Sequence, residues 1–431
     1  MERAAAVSAL AVHKSELLLF FALLELTVIV IAGRLGAALA RRIGQSAVVG
    51  EILMGLLLGP SLLGWIAPQS FAFVFRSAAP EPLQVLSGLG LVLLMFQIGL
   101  GFDFSHLKER DNRALVAWLS AACLVLPFGI GLVFGYYAAP VLSPQANRLD
   151  SALFVATAFS ITALPVLGRI LYDLRVTRAR LAVIAISAAA VNDVVGWLLL
   201  ALVTALTLAT FDGAHYGLRI LLIAGYVVLC LTCLRPLLKT IVRRLHSVDG
   251  RMSADLLGIV LTVVFLSAMA TYELGIFALF GAFLIGVILF DETQFVRAWQ
   301  ERLGQFVTVF FMPIFFTYTG LRTSIGSLST ASAWGWCILT IALATLGKFG
   351  GAYVGARSSK LDHTQATLLG FMMNTRGLME LVVINVGLDL GVISQQMFTI
   401  LVLMAIVSTV ITTPALRFYL PRAGVALPRR R

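Results

Sequence analysis

The sequence predicts an all-α polytopic membrane protein of about thirteen transmembrane helices, arranged as two inverted repeats with one discontinuous helix in each. Three observations predict it. The 431-residue chain is 60% hydrophobic and only 12% charged, with a mean hydropathy of +0.97, and this is about half the charge of ordinary soluble domains. Apolar runs of membrane length follow one another along the whole chain. Two of those runs are interrupted by polar residues at corresponding positions. Charge this scarce excludes a soluble enzyme, a nucleic-acid binder and a disordered chain, because none could be solvated by so little polar surface. The net charge of +11 then has to be explained by topology.

A spanning helix needs about 17 to 25 mostly apolar residues. That ruler places segments near 17–39, 46–64, 83–101, 114–137, 152–172, 181–208, 217–240, 254–272, 275–290, 304–321, 333–356, 365–387 and 396–418. The eighth and ninth are joined so briefly, around Glu273 and Leu274, that a tight helical hairpin is expected. The whole chain 1–431 reads as one transmembrane domain. Within it, 17–208 forms a first repeat, 217–240 a linking helix and 254–418 a second repeat, and no soluble regulatory domain is expected.

The basic residues sort by side. Alternate connections and the C-terminal tail hold 24 of the 32 Lys and Arg residues, among them Arg41, Arg42, Arg175, Arg243, Arg244 and Arg357. The opposite side holds six: Arg3, Lys14, Arg76, Arg148, Arg219 and Arg322. Basic residues collect in cytoplasmic loops, so the N-terminus is expected outside and the C-terminus inside. That requires an odd number of spans, in agreement with thirteen. A retained first helix in the cell's cytoplasmic (inner) membrane fits the start of the chain better than a cleaved signal. Cys123, Cys230, Cys233 and Cys337 lie in apolar runs, where thiols act as small hydrophobes. The Cys230-x-x-Cys233 spacing has no His or Asp ligand beside it.

Two basic residues, Lys348 and Arg376, belong to no loop. Ionisable groups at membrane depth are costly and face a cavity, a partner or an ion path. Asp193 lies twelve residues into the sixth segment, about 18 Å along a helix, within Asn192-Asp193-Val194-Val195-Gly196. The small residues from Ser187 to Ala190 before it let another helix approach closely. Lys348 lies nine residues before Arg357, about 13 Å deep. Asp193 and Lys348 either serve ion binding or pair to hold helices together.

The fifth segment carries Thr157-Ala158-Phe159-Ser160-Ile161-Thr162-Ala163-Leu164-Pro165, a polar patch before a proline that frees a carbonyl one turn back. The twelfth carries Asn374-Thr375-Arg376-Gly377-Leu378-Met379-Glu380. Each is fifth in its block of six segments, and the two blocks have opposite topology. Matched interruptions of this kind point to a transporter binding site. Arg376 and Glu380 are spaced to pair on a continuous helix, or to cap half-helix ends if the segment unwinds. Both are expected to be structural. Glu51 reads as an acid at a helix N-terminus, and Glu25 is unassigned.

With these residues in view the sequence resembles the monovalent cation:proton antiporter superfamily. The resemblance rests on Gly50-Glu51-Ile52-Leu53-Met54-Gly55-Leu56-Leu57-Leu58-Gly59-Pro60-Ser61, Thr157 to Pro165, Asn192-Asp193, Gly347-Lys348, and Asn374 to Leu381. The last stretch is most similar to plant cation/proton exchangers and bacterial potassium-efflux antiporters. The resemblance covers nearly the whole chain and implies a homodimer with a dimerisation domain and a core of two crossing, unwound helices. It makes Asp193 the ion-binding carboxylate and Lys348 the basic residue opposite. Asn192 stands where many electrogenic relatives carry a second aspartate, as electroneutral relatives often do.

One carboxylate defines the expected chemistry. Ionised, Asp193 can hold a partly dehydrated Na⁺ or K⁺, with the Thr162 hydroxyl and unwound carbonyls near Ser160 as further oxygen ligands. Protonated, it releases the cation. Burial raises an acid's pKa and a nearby cation lowers it, and that balance has to bring titration near the working pH. Competition for one acid couples the two fluxes, one for one, with no cofactor; Lys348 would change this if it released a proton when the cation binds. A cation channel is the alternative, disfavoured by the inverted halves and the lack of a carbonyl-filter signature. An intramembrane enzyme would need two cooperating acids or a His-rich metal motif, so the chain is not expected to be an enzyme.

Overall fold

The computed structural model describes residues 2–75, 81–101, 110–177, 179–208, 213–245, 252–274 and 278–425. Among them every regular element is helical and none is a strand. Among the described residues nine helices are long and apolar enough to cross a membrane. Two further runs pass that test as broken pairs, Thr293–Gly304 with Val307–Ser327 and His363–Met373 with Leu378–Asp389, and two more helices, Ala47–Leu57 and Ala278–Leu289, are apolar but short. Each of the thirteen apolar runs falls on one of these. By length and composition the candidate spans number nine, or eleven when each bent pair is one span. Of the topology-setting basic residues, Arg76, Lys108, Arg178, Arg251 and Arg429 to Arg431 lie outside the described residues.

The chain forms two compact units, residues 1–91 with 306–326, and 92–305 with 327–431. The first contains α1 (Glu2–Arg42), α2 (Ala47–Leu57), the short α3 (Leu63–Ile66) and α4 (Pro68–Val74), the start of α5 (Glu81–Leu100), and, from late in the chain, the helix Met312–Leu321. Small residues let helices in a membrane pack backbone to backbone, and α2 uses two faces for this. A Cβ on Gly50 would lie 2.1 Å from the Gly36 carbonyl oxygen of α1, and one on Gly320 would lie 2.0 Å from that of Gly55. The second segment is therefore shorter than its apolar run: α2 stops at Leu57, and Pro60 follows in a turn. Glu51 is corrected by the same helix. It sits one turn inside α2, buried, not in the first turn.

The second unit carries the interrupted segments. Here α6 (Arg110–Leu142) packs on α7 (Arg148–Ser160), with Gly131 and Gly135 against the backbone of Ala156 and Ala152. After the break come α8 (Leu164–Asp173) and α9 (Arg180–Leu208). The linking segment is α10 (Gly213–Leu229), one π-helical turn Cys230–Leu234, and α11 (Arg235–Leu245). Cys230 is buried there and Cys233 exposed. Next, α12 (Ala254–Glu273) packs on α13 (Ala278–Leu289) with Gly281 against the Ser267 carbonyl, as the hairpin expectation requires; residues 275–277 of the turn lie outside the described residues. Then α14 (Thr293–Trp299) follows, and α15 is the Met312–Leu321 helix of the first unit.

The rest of the unit is α16 (Ala331–Ser358), α17 (His363–Met373), α18 (Leu378–Asp389) and α19 (Gln395–Tyr419). On α16, Gly347, Gly351 and Gly355 form one stripe against Pro127, Ala122 and Leu119 of α6, and Lys348, next to Gly347, is fully buried.

Candidate functional site

The two interruptions meet. The fifth segment leaves the helix at Ile161, whose backbone is extended (φ −74°, ψ 140°), and resumes at Leu164-Pro165, with proline in the first turn where its missing N–H costs nothing. The twelfth segment breaks after Met373 and resumes at Leu378, bent by 45°. Gly377 makes that restart possible, because its φ of 134° lies in a region open to glycine. At the crossing the Ala163 N–H donates to the Thr375 carbonyl (3.0 Å), and the Thr162 hydroxyl leans on the Met373 carbonyl at 3.4 Å. Backbone freed in one segment satisfies backbone freed in the other, as non-helical chain at membrane depth must.

The end of α7 leaves carbonyls without intrahelical partners, and buried cations take them. Arg376, fully buried, donates to Ala158 O (3.0 Å), Phe159 O (3.1 Å) and Ala344 O of α16 (3.1 Å). It also pairs with Glu380 at 2.8 Å. Lys348, equally buried, donates to Cys123 O of α6 at 3.0 Å and to Ser160 O. Positive charge at a helix C-terminus is favourable, so both cations are held by the break itself. The twelfth segment has its own tie, from the Thr409 hydroxyl of α19 to the Arg376 carbonyl at 2.8 Å.

Asp193 lies in the middle of α9, 1% exposed, and α9 packs against α7, α8 and α17. Gly196, three residues on and therefore on the same face, leaves room for the Ile161 side chain at 2.8 Å from where a Cβ would stand. Asp193 thus faces the crossing. Among the described residues neither of its carboxylate oxygens has a hydrogen-bond partner, and the Asn192 amide nitrogen has none. The Leu164 N–H donates to Thr162 O (3.2 Å), and Lys348 donates to the Cys123 and Ser160 carbonyls. Burying an unpartnered polar oxygen is costly, which makes Asp193 the group around which something else is to bind.

The predicted residues are thus brought together, with roles divided by geometry. Asp193 and Asn192 leave polar atoms without a hydrogen-bond partner among the described residues. The Thr162 and Ser160 hydroxyls both donate, to Met373 O (3.4 Å) and to Ala156 O (2.8 Å) and Leu124 O (3.2 Å), and both keep oxygen lone pairs, while the Ser160 carbonyl accepts from Lys348. Asp193 and Lys348 form no direct ion pair within 4 Å, so helix-holding by that pair is not how Lys348 is used. Arg376 and Glu380 do both things expected of them, pairing with each other while Arg376 also caps a helix end, but the end belongs to α7. Cys123, Ala344, Thr375 and Thr409 take part without having been singled out. The first three contribute only backbone carbonyls here, which no residue type advertises.

Two broken helices crossing in the middle of a membrane bundle, beside a buried carboxylate, define a membrane transport protein. The chain belongs to the family of transmembrane sodium/hydrogen exchangers, whose profile matches residues 26–421. It is 38% identical to the Na(+)/H(+) antiporter NhaS4 of Synechocystis over 92% of this chain and 96% of that one. It is 38% identical to cation/H(+) antiporter 17 of Arabidopsis thaliana over 91% of this chain. With the K(+)/H(+) antiporter 1 of Saccharomyces cerevisiae the identity is 31% over 88% of this chain. The chain spans about half the length of the plant and yeast relatives, 47% and 44% in these two. Its fold matches the sodium proton antiporter MjNhaP1 of Methanocaldococcus jannaschii with a TM-score of 0.57 at 17% identity, covering 94% of this chain and 98% of that one. These relatives are transporters, not enzymes.

Proposed function

We infer that this protein is a secondary active antiporter that exchanges a monovalent cation, Na⁺ or K⁺, for protons by alternating access. The observation that carries this is the pair of unpartnered Asp193 carboxylate oxygens, buried beside the crossing of two broken helices. Ionised, Asp193 attracts a partly dehydrated cation, and the Thr162 hydroxyl oxygen is a further ligand within the same break. Protonated, the side chain is neutral and the attraction is lost. Only one occupant fits at a time, so the gradient of one drives the other. Movement of the helices that carry the site exposes it alternately to each side.

Several features belong to the same reading: two inverted repeats (17–208 and 254–418) joined by 217–240, an outside N-terminus and inside C-terminus, a homodimer, and residence in the cytoplasmic membrane. The relatives, Na(+)/H(+), cation/H(+) and K(+)/H(+) antiporters, support the substrate class. With a neutral Asn192 beside Asp193 and Lys348 held by carbonyls, one acid serves each cycle, and the exchange is one for one and electroneutral.

Purified protein in proteoliposomes, challenged with Li⁺, Na⁺, K⁺ and Rb⁺ over a pH series, tests this. Cation-dependent dissipation of an imposed pH gradient is expected for the wild type, and none for Asp193→Ala. Exchange that survives Asp193→Ala removes the carboxylate mechanism. A cation current that needs no proton gradient would favour a channel.

A further inference from the structure

On the outer side of the α6–α16 pair lies a groove of about 810 Å³ lined by α6 and α16 residues alone. On α6 the lining recurs as Val125, Gly129, Val133 and Tyr137, one helical stripe. With Ala122 at its start the stripe runs over fifteen residues, about 22 Å. Trp336 and Leu343 of α16 form the other wall. No lining side chain is charged, and the stripe opens on the surface, Val125 being 66% exposed and Val133 59%. Both walls are membrane-spanning helices, so the groove faces hydrocarbon. Its two amphipathic rings, Tyr137 and Trp336, stand near one end of α6 and the start of α16, where such rings mark the headgroup level.

Gly129 opens the middle of the groove: a Cβ there would meet no atom within 4 Å. The floor is continuous with the site. Phe134, which also lines the groove, stacks on Phe159 at 5.7 Å, and the Phe159 carbonyl is held by Arg376.

We propose that this groove is a binding site for one acyl chain of a bilayer phospholipid, lying along α6 with its headgroup end at Tyr137 and Trp336. The occupant follows from the environment. A long, narrow, uncharged groove within hydrocarbon is filled by chain methylenes at no desolvation cost, and a bound chain packs the side chains that back the Lys348 and Arg376 caps. The inference does not depend on which ions are carried.

Native mass spectrometry of the full-length protein, stripped with rising detergent, reads the site directly. The wild type is expected to retain one phospholipid per chain after the rest has gone. Gly129→Phe, whose ring fills the groove and whose helix propensity exceeds that of glycine, should retain about tenfold less or lower still, while Gly129→Ala retains the lipid. Leu343→Trp is an independent plug should Gly129→Phe fail to fold. A phosphatidylcholine with brominated acyl chains, added to solubilised protein, should quench a saturable fluorescence component that is absent from Trp336→Phe and from Gly129→Phe. Retention unchanged in both plugged variants overturns the proposal. So does retention of a free fatty acid alone, or a dimer mass that the plugs dissociate, since the occupant would then be a different molecule.

Discussion

The Arg376 guanidinium stands 3.1 Å from the Phe159 carbonyl, across 217 residues of sequence. One buried cation thereby closes the end of α7, pairs with Glu380 and reaches α16. Removing it leaves the Ala158 and Phe159 carbonyls of the last turn of α7 and the Glu380 carboxylate unsatisfied at once. Loss of one partner of a buried ion pair costs about 3–5 kcal/mol, so Arg376→Ala is expected to lower the melting temperature sharply or abolish folded protein. Arg376→Ala with Glu380→Ala should cost less than the two single changes added together. Fluorescence-detected thermal unfolding in detergent checks both, and strict additivity would sink the coupling.

Lys348 is expected to act on stability more than on ion affinity. Its hydrogen bonds go to Cys123 and Ser160 carbonyls, and leaving buried acceptors unmade costs about 1–3 kcal/mol. Lys348→Ala should therefore melt earlier, while the folded fraction keeps the wild-type ion order and an electroneutral exchange. A current appearing or vanishing with this variant would show that Lys348 carries a proton in the cycle.

Asp193→Asn separates function from folding. The change removes a buried group that no protein atom satisfies, so thermal stability in detergent should stay level or rise while exchange falls below detection. A large loss of stability would mean that Asp193 holds helices together, contrary to its unpartnered oxygens.

In the first unit, backbone contact leaves no room for side chains. Gly320→Ala would place a Cβ 2.0 Å from the Gly55 carbonyl, and overpacking costs about 1–3 kcal/mol. Gly335→Ala, where a Cβ meets nothing within 4 Å, should be neutral. Equal melting temperatures for the two variants would contradict the packing described.

The loop between α13 and α14 is tied to α11 by charge. Arg243 grips Glu292 with two nitrogens (2.7 and 3.1 Å), and Asp291 accepts from Arg235 at 3.0 Å and from Lys239. Partial burial raises the Asp291 carboxyl, but the hydrogen bonds from Lys239 and Arg235 outweigh it and hold the group below its ordinary 3.8. A carboxyl with a lowered folded value stabilises above its unfolded pKa and loses that contribution as pH falls through the folded one. The tie is therefore intact from neutral pH down to about 4 and weakens only in stronger acid. Asp291→Asn should flatten the acid limb of a stability–pH profile and leave the neutral region's slope unchanged; an identical acid limb would exclude the tie.

Much of this was legible in the residues because the membrane penalises polarity. Each apolar run announces a helix, and Asp193, Lys348 and Arg376 stand out against them. Pro165 and Gly377 mark the restarts of the two broken segments through backbone rules of their own. Glu51 misled because a residue close to the start of the 46–64 run was read as part of the helix's first turn, whereas α2 begins at Ala47 and Glu51 falls just beyond that turn. Segment two looked long enough to span throughout because apolar composition continues past Leu57, where the chain turns.

By itself, then, the sequence determined the membrane class, the succession of apolar helices, the two interruptions and the deep acid Asp193, since each follows from hydropathy or local backbone chemistry. Only the tertiary structure decided which groups satisfy which. Arg376 and Lys348 cap α7, Ala163 is bonded to Thr375, and Asp193 is left without a protein partner. The physical reason is that the acceptors are backbone carbonyls. Every residue has one, so its presence carries no signal in the sequence, and which of them meets a buried cation is settled by helices packing from distant parts of the chain.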